Sequence, residues 1–381
     1  MKISMKITVA IDSFKGSLST FQSGDAVKKG ALKVFEDAEV CISPLADGGE
    51  GTVEAIVSAN NGTYNRVKVH NPLGVLIESS YGYISEKQTA VTEMSSAAGI
   101  TLINEKERNP LNTTTYGVGE MISDAINKGC RKFIVGIGGS ATNDGGIGML
   151  SALGIEFLDE NGKAVSQGAK GLKELRKINI DNINPLLKEC SFLVACDVNN
   201  PLCGENGCSA VYGPQKGADA EMVKSMDTWL SSYAELTKEI NENSDKNYPG
   251  AGAAGGLGFA FLSYLNAELK SGIDIVIEAT SLEEKIKSAD IVVTGEGRLD
   301  GQSCMGKAPV GVAKLAKKYG KKVVAFSGCV TDDAVLCNEH GIDAFFPILR
   351  TPCTLEEAMD CEKAFNNLVL TSEQVFRLMS L

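Results

Sequence analysis

The stretch KITVAIDSFKGS, residues 6–17, decides the fold class of this chain. Residues 6–11 form an apolar run rich in β-branched side chains, which is typical of a buried strand. After Gly16, apolar residues recur at helical spacing across residues 20–35. The pattern therefore predicts a strand, a polar loop and a helix, which is the repeating unit of an α/β fold.

Similar patterns occur near both ends of the chain. Residues 40–43 predict a second strand and residues 52–59 a helix, with a polar loop between them. Toward the C-terminus, residues 291–294 and 322–327 predict strands that flank a helix over residues 310–319. Buried strands that alternate with helices indicate a parallel sheet.

The middle of the chain has a different pattern. Residues 66–69, 75–84 and 89–92 predict hairpin strands, and the turn-forming residues 71–74 separate the first two. Such a pattern of hairpin strands is typical of a mixed sheet, so a second domain is expected here.

We therefore predict an α/β protein of two domains, in agreement with its 381 residues. A Rossmann-like parallel-sheet domain is built from both chain ends, residues 1–66 and 283–381. A mixed α/β domain, residues 67–282, is inserted into it.

Composition excludes several classes of protein. The chain has 37 Lys and Arg against 48 Asp and Glu, a net charge of −11, and no basic run that would bind nucleic acid. No signal peptide and no apolar run long enough to span a membrane occurs, so a cytoplasmic protein is expected. The 11 Cys are scattered and only His70 and His340 accompany them, so no zinc site is predicted.

Five polar, glycine-rich loops lie next to predicted strands, where open α/β sheets bind ligands. In the first, Asp12, Lys15 and Ser17 follow the first strand and precede a helix, an arrangement that suits an anion. In the second, Asp47 and Glu50 lie among glycines at a helix start. Helix capping alone is an alternative explanation for both loops.

The third loop, residues 136–146, reads GIGGSATNDGG and offers successive backbone N–H groups to a phosphate or carboxylate. Its start also fits the dinucleotide fingerprint GxGxxA, and Glu156 follows at the expected spacing. The fingerprint normally opens the first βαβ unit, whereas this loop lies deep inside the chain. NAD binding is therefore the weaker alternative.

The fourth and fifth loops carry more charge. Asp197 follows a strand predicted over residues 191–195, where it suits a base or a metal ligand. The fifth loop, residues 294–301, contains Gly295, Glu296, Gly297 and Arg298, and residues 301–307 fit GxxxxGK. Ala308 replaces the hydroxyl residue of a true P-loop, but Lys307 at a helix start still suits a phosphate.

These residue types suit phosphoryl transfer. Glycine-rich backbone and lysine or arginine neutralise phosphates, while carboxylates hold Mg²⁺ or accept a proton. The same residues would serve a Mg²⁺-dependent hydrolase or a sugar-phosphate lyase. A serine hydrolase is disfavoured because no GxSxG motif occurs.

Six motifs resemble the bacterial class I glycerate kinase family of the glycerate 2-kinase type, in order and across essentially the whole chain. They are AIDSFKGS at Ala10, PLADGGEGT at Pro44, GIGGSATNDGG at Gly136, ACDVNNPLCG at Ala195, VYGPQKGA at Val211 and TGEGRLDGQS at Thr294. The resemblance implies transfer of a phosphoryl group from ATP to D-glycerate, giving 2-phospho-D-glycerate, with the site in the cleft between a Rossmann-like and a second α/β domain. Three alternatives stay open: a 3-kinase giving 3-phospho-D-glycerate, an NAD-dependent hydroxy-acid dehydrogenase, and a ligand-binding regulator without turnover.

The residue roles follow from the resemblance and the loop chemistry together. We predict Asp197 as general base or hydroxyl-positioning group, and Lys15 and Arg298 as ligands of the glycerate carboxylate or the transferring phosphoryl group. The remaining predicted residues are, for substrate, Ser17, Asp47, Ser140, Asn143 and Asp144; for ATP phosphates, Gly138, Gly139, Gly295, Gly297 and Lys307; and for Mg²⁺, Asp47 and Glu296.

Overall fold

The structure, a computed structural model, describes residues 4–46, 48–49, 51–305 and 307–381. The described chain divides into two compact units. The first unit comprises residues up to 46, residues 54–60 and residues 273–381, and the second comprises those within 48–53 and 61–272. Elements are numbered below along the whole chain.

The first unit is built around a parallel sheet with the strand order β13-β12-β11-β1-β2. Its strands are β1 Lys6–Val9, β2 Glu39–Ile42, β11 Ile291–Leu299, β12 Lys322–Val330 and β13 Ala344–Pro347. Because strands from both chain ends pair in this sheet, the predicted Rossmann-like parallel sheet is confirmed.

Helices flank this sheet. They are α1 Thr20–Leu32, α11 Leu282–Ser288, α12 Ala308–Lys318, α13 Leu336–Glu339, α14 Leu355–Met359 and α15 Cys361–Met379, with α2 Thr52–Ala59 and α10 Gly272–Ala279 lying mostly in this unit. Helix α1 begins with a capping box, in which Ser19 accepts from the backbone N–H of Gln22 and the Gln22 side chain accepts from that of Ser19. Its apolar face packs with α15 against the buried strands.

The second unit contains a mixed sheet with the strand order β10-β9-β6-β5-β4-β3. Its strands are β3 Thr63–His70, β4 Leu76–Ile84, β5 Thr89–Glu93, β6 Lys132–Gly136, β9 Ser191–Ala195 and β10 Glu268–Lys270, and a small antiparallel pair is formed by β7 Glu156–Leu158 and β8 Lys177–Asn179. Strand β4 pairs antiparallel with β3 and β5, while β5, β6, β9 and β10 run parallel. The predicted hairpin is therefore present, and Asn71 closes its turn with the hydrogen bond from its N–H to the Val75 carbonyl, 2.7 Å.

The helices of the second unit pack around an apolar core that includes one face of this sheet, with Ala90, Phe133, Val135, Phe192 and Val194. They are α3 Ser95–Ala98, α4 Tyr116–Asn127, α5 Ile147–Ala152, α6 Ala169–Glu174, α7 Cys208–Tyr212, α8 Ala220–Ile240 and α9 Ala253–Leu265. No helix in the described ranges has the length and apolar composition needed to cross a membrane.

The unit boundaries differ from the predicted division after residues 66 and 282. All of β3 belongs to the second unit, because its residues pair with β4 from Thr63 to His70. Most of α10 belongs to the first unit, where Ile273 packs on Gly311 of α12. A Cβ added to Gly311 would lie only 2.7 Å from the Ile273 side chain. Sequence periodicity did not indicate either tertiary contact.

The predicted fifth loop is also different in the structure, because β11 continues through it to Leu299. Strand β12 pairs in register with this stretch, including Gly295 with Phe326 and Glu296 with Ser327. Glycine is required at 295, since φ is +154° and a Cβ would lie 1.9 Å from the Phe326 carbonyl oxygen. Glycines normally weaken strands, so local propensity predicted a loop where tertiary pairing forms a strand.

The α1–α15 contact gives a test of packing in the first unit. A Cβ on Gly30 would lie 2.0 Å from Ser372 Oγ and 2.7 Å from the Val369 carbonyl oxygen. We expect Gly30→Ala to lower the free energy of unfolding by about 1–3 kcal/mol, despite the higher helix propensity of alanine, because the helices must separate.

Thermal unfolding followed by circular dichroism measures this change. Asp25→Ala is the matched control, since Asp25 is exposed on the same helix. A Gly30→Ala variant as stable as the control would show that the two helices do not approach this closely.

Candidate active site

The carboxyl ends of β1 and β11 form a topological switch point. The chain leaves β1 through α1 toward β2 on one side, and leaves β11 through α12 toward β12 on the other. Open α/β sheets bind ligands in the crevice at such a point, because loops diverge there and helix N-termini face it.

The first predicted loop lies against β11 at this point. The N–H of Asp12 donates to the Gly295 carbonyl at 2.9 Å. A Cβ on Gly297 would lie 3.4 Å from the backbone nitrogen of Lys15. The Lys15 side chain is exposed. Ser17 Oγ is buried and, among the described residues, has no hydrogen-bond partner. The structure therefore brings the predicted residues of the first and fifth loops together.

Charged residues gather around Ser303 just after β11. Ser303 Oγ donates to Glu296 Oε1 at 2.5 Å, and its N–H donates to Asp300 Oδ1 at 3.2 Å. Asp300 Oδ2 lies 3.3 Å from Arg298 Nε, and Asp300 Oδ1 lies 3.9 Å from Lys307 Nζ. We call these five residues the Ser303 cluster. It places two carboxylates and two cations next to one another, although the Arg298 side chain stays 65% exposed.

Sequence reasoning included Glu296, Arg298 and Lys307 but assigned no site role to Ser303 in the cluster. The short 3₁₀ helix Gly301–Met305 turns Ser303 back toward β11, and Asp300 Oδ1 caps it by accepting from the N–H of Gln302 at 3.0 Å. The string DGQS in the sequence is a turn signal that would have indicated this reversal.

In the second unit, Gly48 lies at the carboxyl edge of the mixed sheet. Its carbonyl oxygen lies close to Gly136, 2.7 Å from where a Cβ on that glycine would be. A Cβ on Gly48 itself would lie 2.7 Å from Gly272 Cα and 3.3 Å from Asp197 Oδ2. With φ at +90°, only glycine fits. Gly48 of the second predicted loop therefore allows the backbone to pass close to Asp197.

Asp197 is held at the end of β9. Its Oδ1 accepts from the N–H of Gly272 at 2.9 Å, while the residue as a whole is exposed. A carboxylate that accepts from a backbone donor at a strand end and belongs to an exposed residue is oriented and reachable by a ligand, which suits a base or a positioning group.

The third predicted loop presents some residues to solvent and buries others. Gly138 and Gly139 are exposed and Ser140 is 9% exposed, whereas Asn143 and Asp144 are fully buried. Asn143 Nδ2 donates to Ser209 Oγ at 2.8 Å. The structure therefore separates a surface portion of this loop from a structural portion.

Asp144 organises the turn that follows the loop. It accepts from the N–H and the Oγ1 of Thr115, both at 2.8 Å, and from the N–H groups of Gly146 and Gly148 at 3.1 and 3.4 Å. Burial raises the pKa of its carboxyl above the ordinary 3.8, and these donors act in the opposite direction. Four donors to one buried carboxylate therefore join the N-terminus of α4 to the N-terminus of α5.

Lys216 contacts this loop and was missed as a site residue. Its side chain is 2% exposed and its Nζ donates to Ser140 Oγ and to the Thr142 carbonyl, each at 2.7 Å. Burial lowers the pKa of its ammonium to about 8. The motif VYGPQKGA contains this lysine and was the available sequence signal.

Asp47, predicted for substrate and for Mg²⁺, lies outside the described residues, as does Glu50. The roles predicted for them stay predictions.

Comparison with known proteins identifies the family. Residues 7–380 match the model of the glycerate kinase family. A relative named glycerate 2-kinase, from Escherichia coli (strain K12), is 47% identical over 371 residues that cover 97% of both chains. Another named glycerate kinase, from Haemophilus influenzae, is 45% identical over 376 residues that cover 99% of both.

A solved structure agrees with these relatives. The crystal structure of a protein from Salmonella typhimurium LT2, assigned as glycerate kinase 2, has a TM-score of 0.91 and 43% identity over 99% of both chains. Sequence and fold therefore agree over nearly the whole length. This chain belongs to the glycerate kinase family and is a phosphotransferase that acts on an alcohol group.

Proposed function

We propose that the protein transfers the γ-phosphoryl group of ATP to the 2-hydroxyl of D-glycerate, with Mg²⁺, giving 2-phospho-D-glycerate and ADP. Family membership supports the kinase activity, and the name of the E. coli relative supports the 2-hydroxyl. The observation that carries the proposal is the Ser303 cluster, because it combines carboxylates and cations at the switch point of a parallel sheet.

Phosphoryl transfer needs this combination. The transferred group spreads negative charge over its oxygens, so cations that face it stabilise the transition state. Arg298 and Lys307 supply such charge within the cluster, and Lys15 supplies it from the neighbouring loop. Lys307 also precedes α12, whose N-terminal N–H groups favour a phosphate.

The described residues fit Mg²⁺. Glu296 and Asp300 both contact Ser303, so their carboxylates are held close together, and oxygen ligands are those that Mg²⁺ prefers. The described part of the chain contains no group of three or more acidic, His or Cys side chains arranged for a metal. In kinases, one or two carboxylates usually bind the ion, and substrate phosphates and water complete its shell. The bound ion would neutralise phosphate charge.

Asp197 is the proposed general base or positioning group for the glycerate hydroxyl. Its Oδ1 accepts from the Gly272 N–H, and its Oδ2 lies beside Gly48, 3.3 Å from where a Cβ on that glycine would be. A base contributes by being aligned before the reaction, and this backbone contact provides the alignment.

For the third loop we propose a division of roles. Gly138, Gly139 and Ser140 contact substrate or phosphate oxygens, since both glycines are exposed and Ser140 directly follows them. Asn143 and Asp144 contribute by fixing the loop from within, because their side chains are fully buried and bonded to the protein.

The NAD-dependent alternative receives no support from the loop geometry. In the dinucleotide fingerprint a helix follows the glycines directly, whereas here α5 begins only at Ile147, after the left-handed residues Gly145 and Gly146. The 3-kinase differs only in the hydroxyl that reacts, and product analysis separates it.

Product analysis tests the reaction itself. Purified protein with D-glycerate, ATP and Mg²⁺ should form ADP and 2-phosphoglycerate, observed by phosphorus NMR. A 3-phosphoglycerate resonance would keep the kinase and exclude the proposed hydroxyl. Absence of turnover would contradict the proposed substrate.

Asp197→Asn tests the base. Asparagine keeps an acceptor for the Gly272 N–H but cannot take a proton, so we expect kcat to fall by about 10²-fold or more, with KM for ATP little changed. Steady-state kinetics with both substrates measures this. Turnover within about threefold of the parent would place the base elsewhere.

Glu296→Gln tests the metal site. Glutamine can still accept from Ser303 Oγ but carries no charge, so the Mg²⁺ concentration for half-maximal rate should rise by about tenfold. Glu339→Gln, at an exposed position of the same unit, is the matched control. Equal Mg²⁺ dependence in the two variants would argue against a metal at Glu296.

A further inference from the structure

Lys216 is a buried cation whose role the proposed reaction does not yet explain. It is carried by the one-turn 3₁₀ helix Pro214–Lys216, and it reaches the third loop more than 70 residues away in sequence. In the described part of the chain it forms no ion pair with a carboxylate. Burying an ammonium without such a partner is costly, and a neutral donor would suffice merely to hold the Thr142 carbonyl.

The hydrogen bond to Ser140 fixes the direction of the Ser140 hydroxyl. An ammonium group can only donate, so Ser140 Oγ must be the acceptor at 2.7 Å. The hydroxyl hydrogen of Ser140 is then available for another acceptor, and the described residues supply none. Ser140 is 9% exposed and directly follows the exposed Gly138 and Gly139.

We propose that the Ser140 hydroxyl, with the backbone of Gly138 and Gly139, binds an oxyanion of one substrate, and that Lys216 is the positioning residue behind it. The ammonium turns the hydroxyl outward as a donor and places a positive charge behind it. The oxyanion is a carboxylate or a phosphate group. Its assignment to D-glycerate or ATP rests on the proposed function.

Electrostatics make this arrangement sensitive to pH. Burial lowers the pKa of Lys216 to about 8, while the Asp144 carboxylate and the Cys208 thiol, which face it, act in the opposite direction. Above that pH the neutral amine has a lone pair, so Ser140 can donate to it. The outward donor and the charge are then lost together, and oxyanion binding should weaken.

Calorimetric titration of D-glycerate and of Mg²⁺-ATP, each alone, tests the proposal on the full chain. At pH 7, Lys216→Met and Ser140→Ala should each bind one of the two ligands about tenfold more weakly, and the double variant should lose little more. Loss for D-glycerate alone assigns a carboxylate, and loss for ATP alone a phosphate. The control is Lys224→Met, which removes an exposed lysine of the same unit and should change neither affinity.

The pH dependence provides a readout that a purely structural role would not give. Parent affinity for the assigned ligand should fall by up to about tenfold in total above pH 8, whereas Ser140→Ala should show a much smaller fall, because only the charge is then lost. This comparison uses only the parent protein and Ser140→Ala, so it tests the proposal even where Lys216→Met fails to fold.

The inference and the proposed function fail in different ways. Parent protein that binds D-glycerate and ATP without forming a phosphoglycerate overturns the function alone. Parent-like affinities for both ligands in Ser140→Ala, with turnover intact, overturn the inference alone.

Discussion

The pairing of β1 with β11 is the contact on which the first unit depends. Ile7 pairs with Ile291, so segments 284 residues apart in sequence run side by side, and the Lys6 N–H donates to Asp290 Oδ2 at 2.8 Å, also across 284 residues. Apolar side chains on both strands are buried, which makes their register strongly preferred. Because this register also sets where the two strands end, it places the loop after β1 beside the charged end of β11.

Close approach of backbones governs the chemistry of both units. At Gly295 a Cβ would collide with the Phe326 carbonyl, and at Gly48 it would collide with Gly272, so the chain can pass only where side chains are absent. A charged group lies next to the second of these contacts, because Asp197 Oδ2 would be 3.3 Å from a Cβ on Gly48. The Oδ1 of Asp197, for example, accepts from the Gly272 N–H, and this contact orients the carboxylate.

Local sequence patterns correctly predicted elements whose extent is marked by adjacent residues. Helix α2 and strand β9 have the predicted bounds, because helical periodicity and a short apolar run next to a polar loop are patterns that adjacent residues supply. The glycine-rich end of β11 was predicted as a loop and is a strand, since its hydrogen-bond partner β12 follows much later in the chain. The extent of β3 escaped prediction for the same reason, because ladder pairing with β4 rather than propensity holds its first residues.

The sequence by itself determined the fold class, the family and the residue types of the candidate site. Those features reside in short strings, and each loop needs only its own residues to specify a turn or a polar surface. Tertiary structure alone decided that Ser303 joins Glu296 to Asp300, that Asn143 and Asp144 lie inside the protein, and that Lys216 stands behind Ser140. The physical reason is that burial and hydrogen-bond direction depend on groups distant in sequence, and no local pattern encodes which groups will meet.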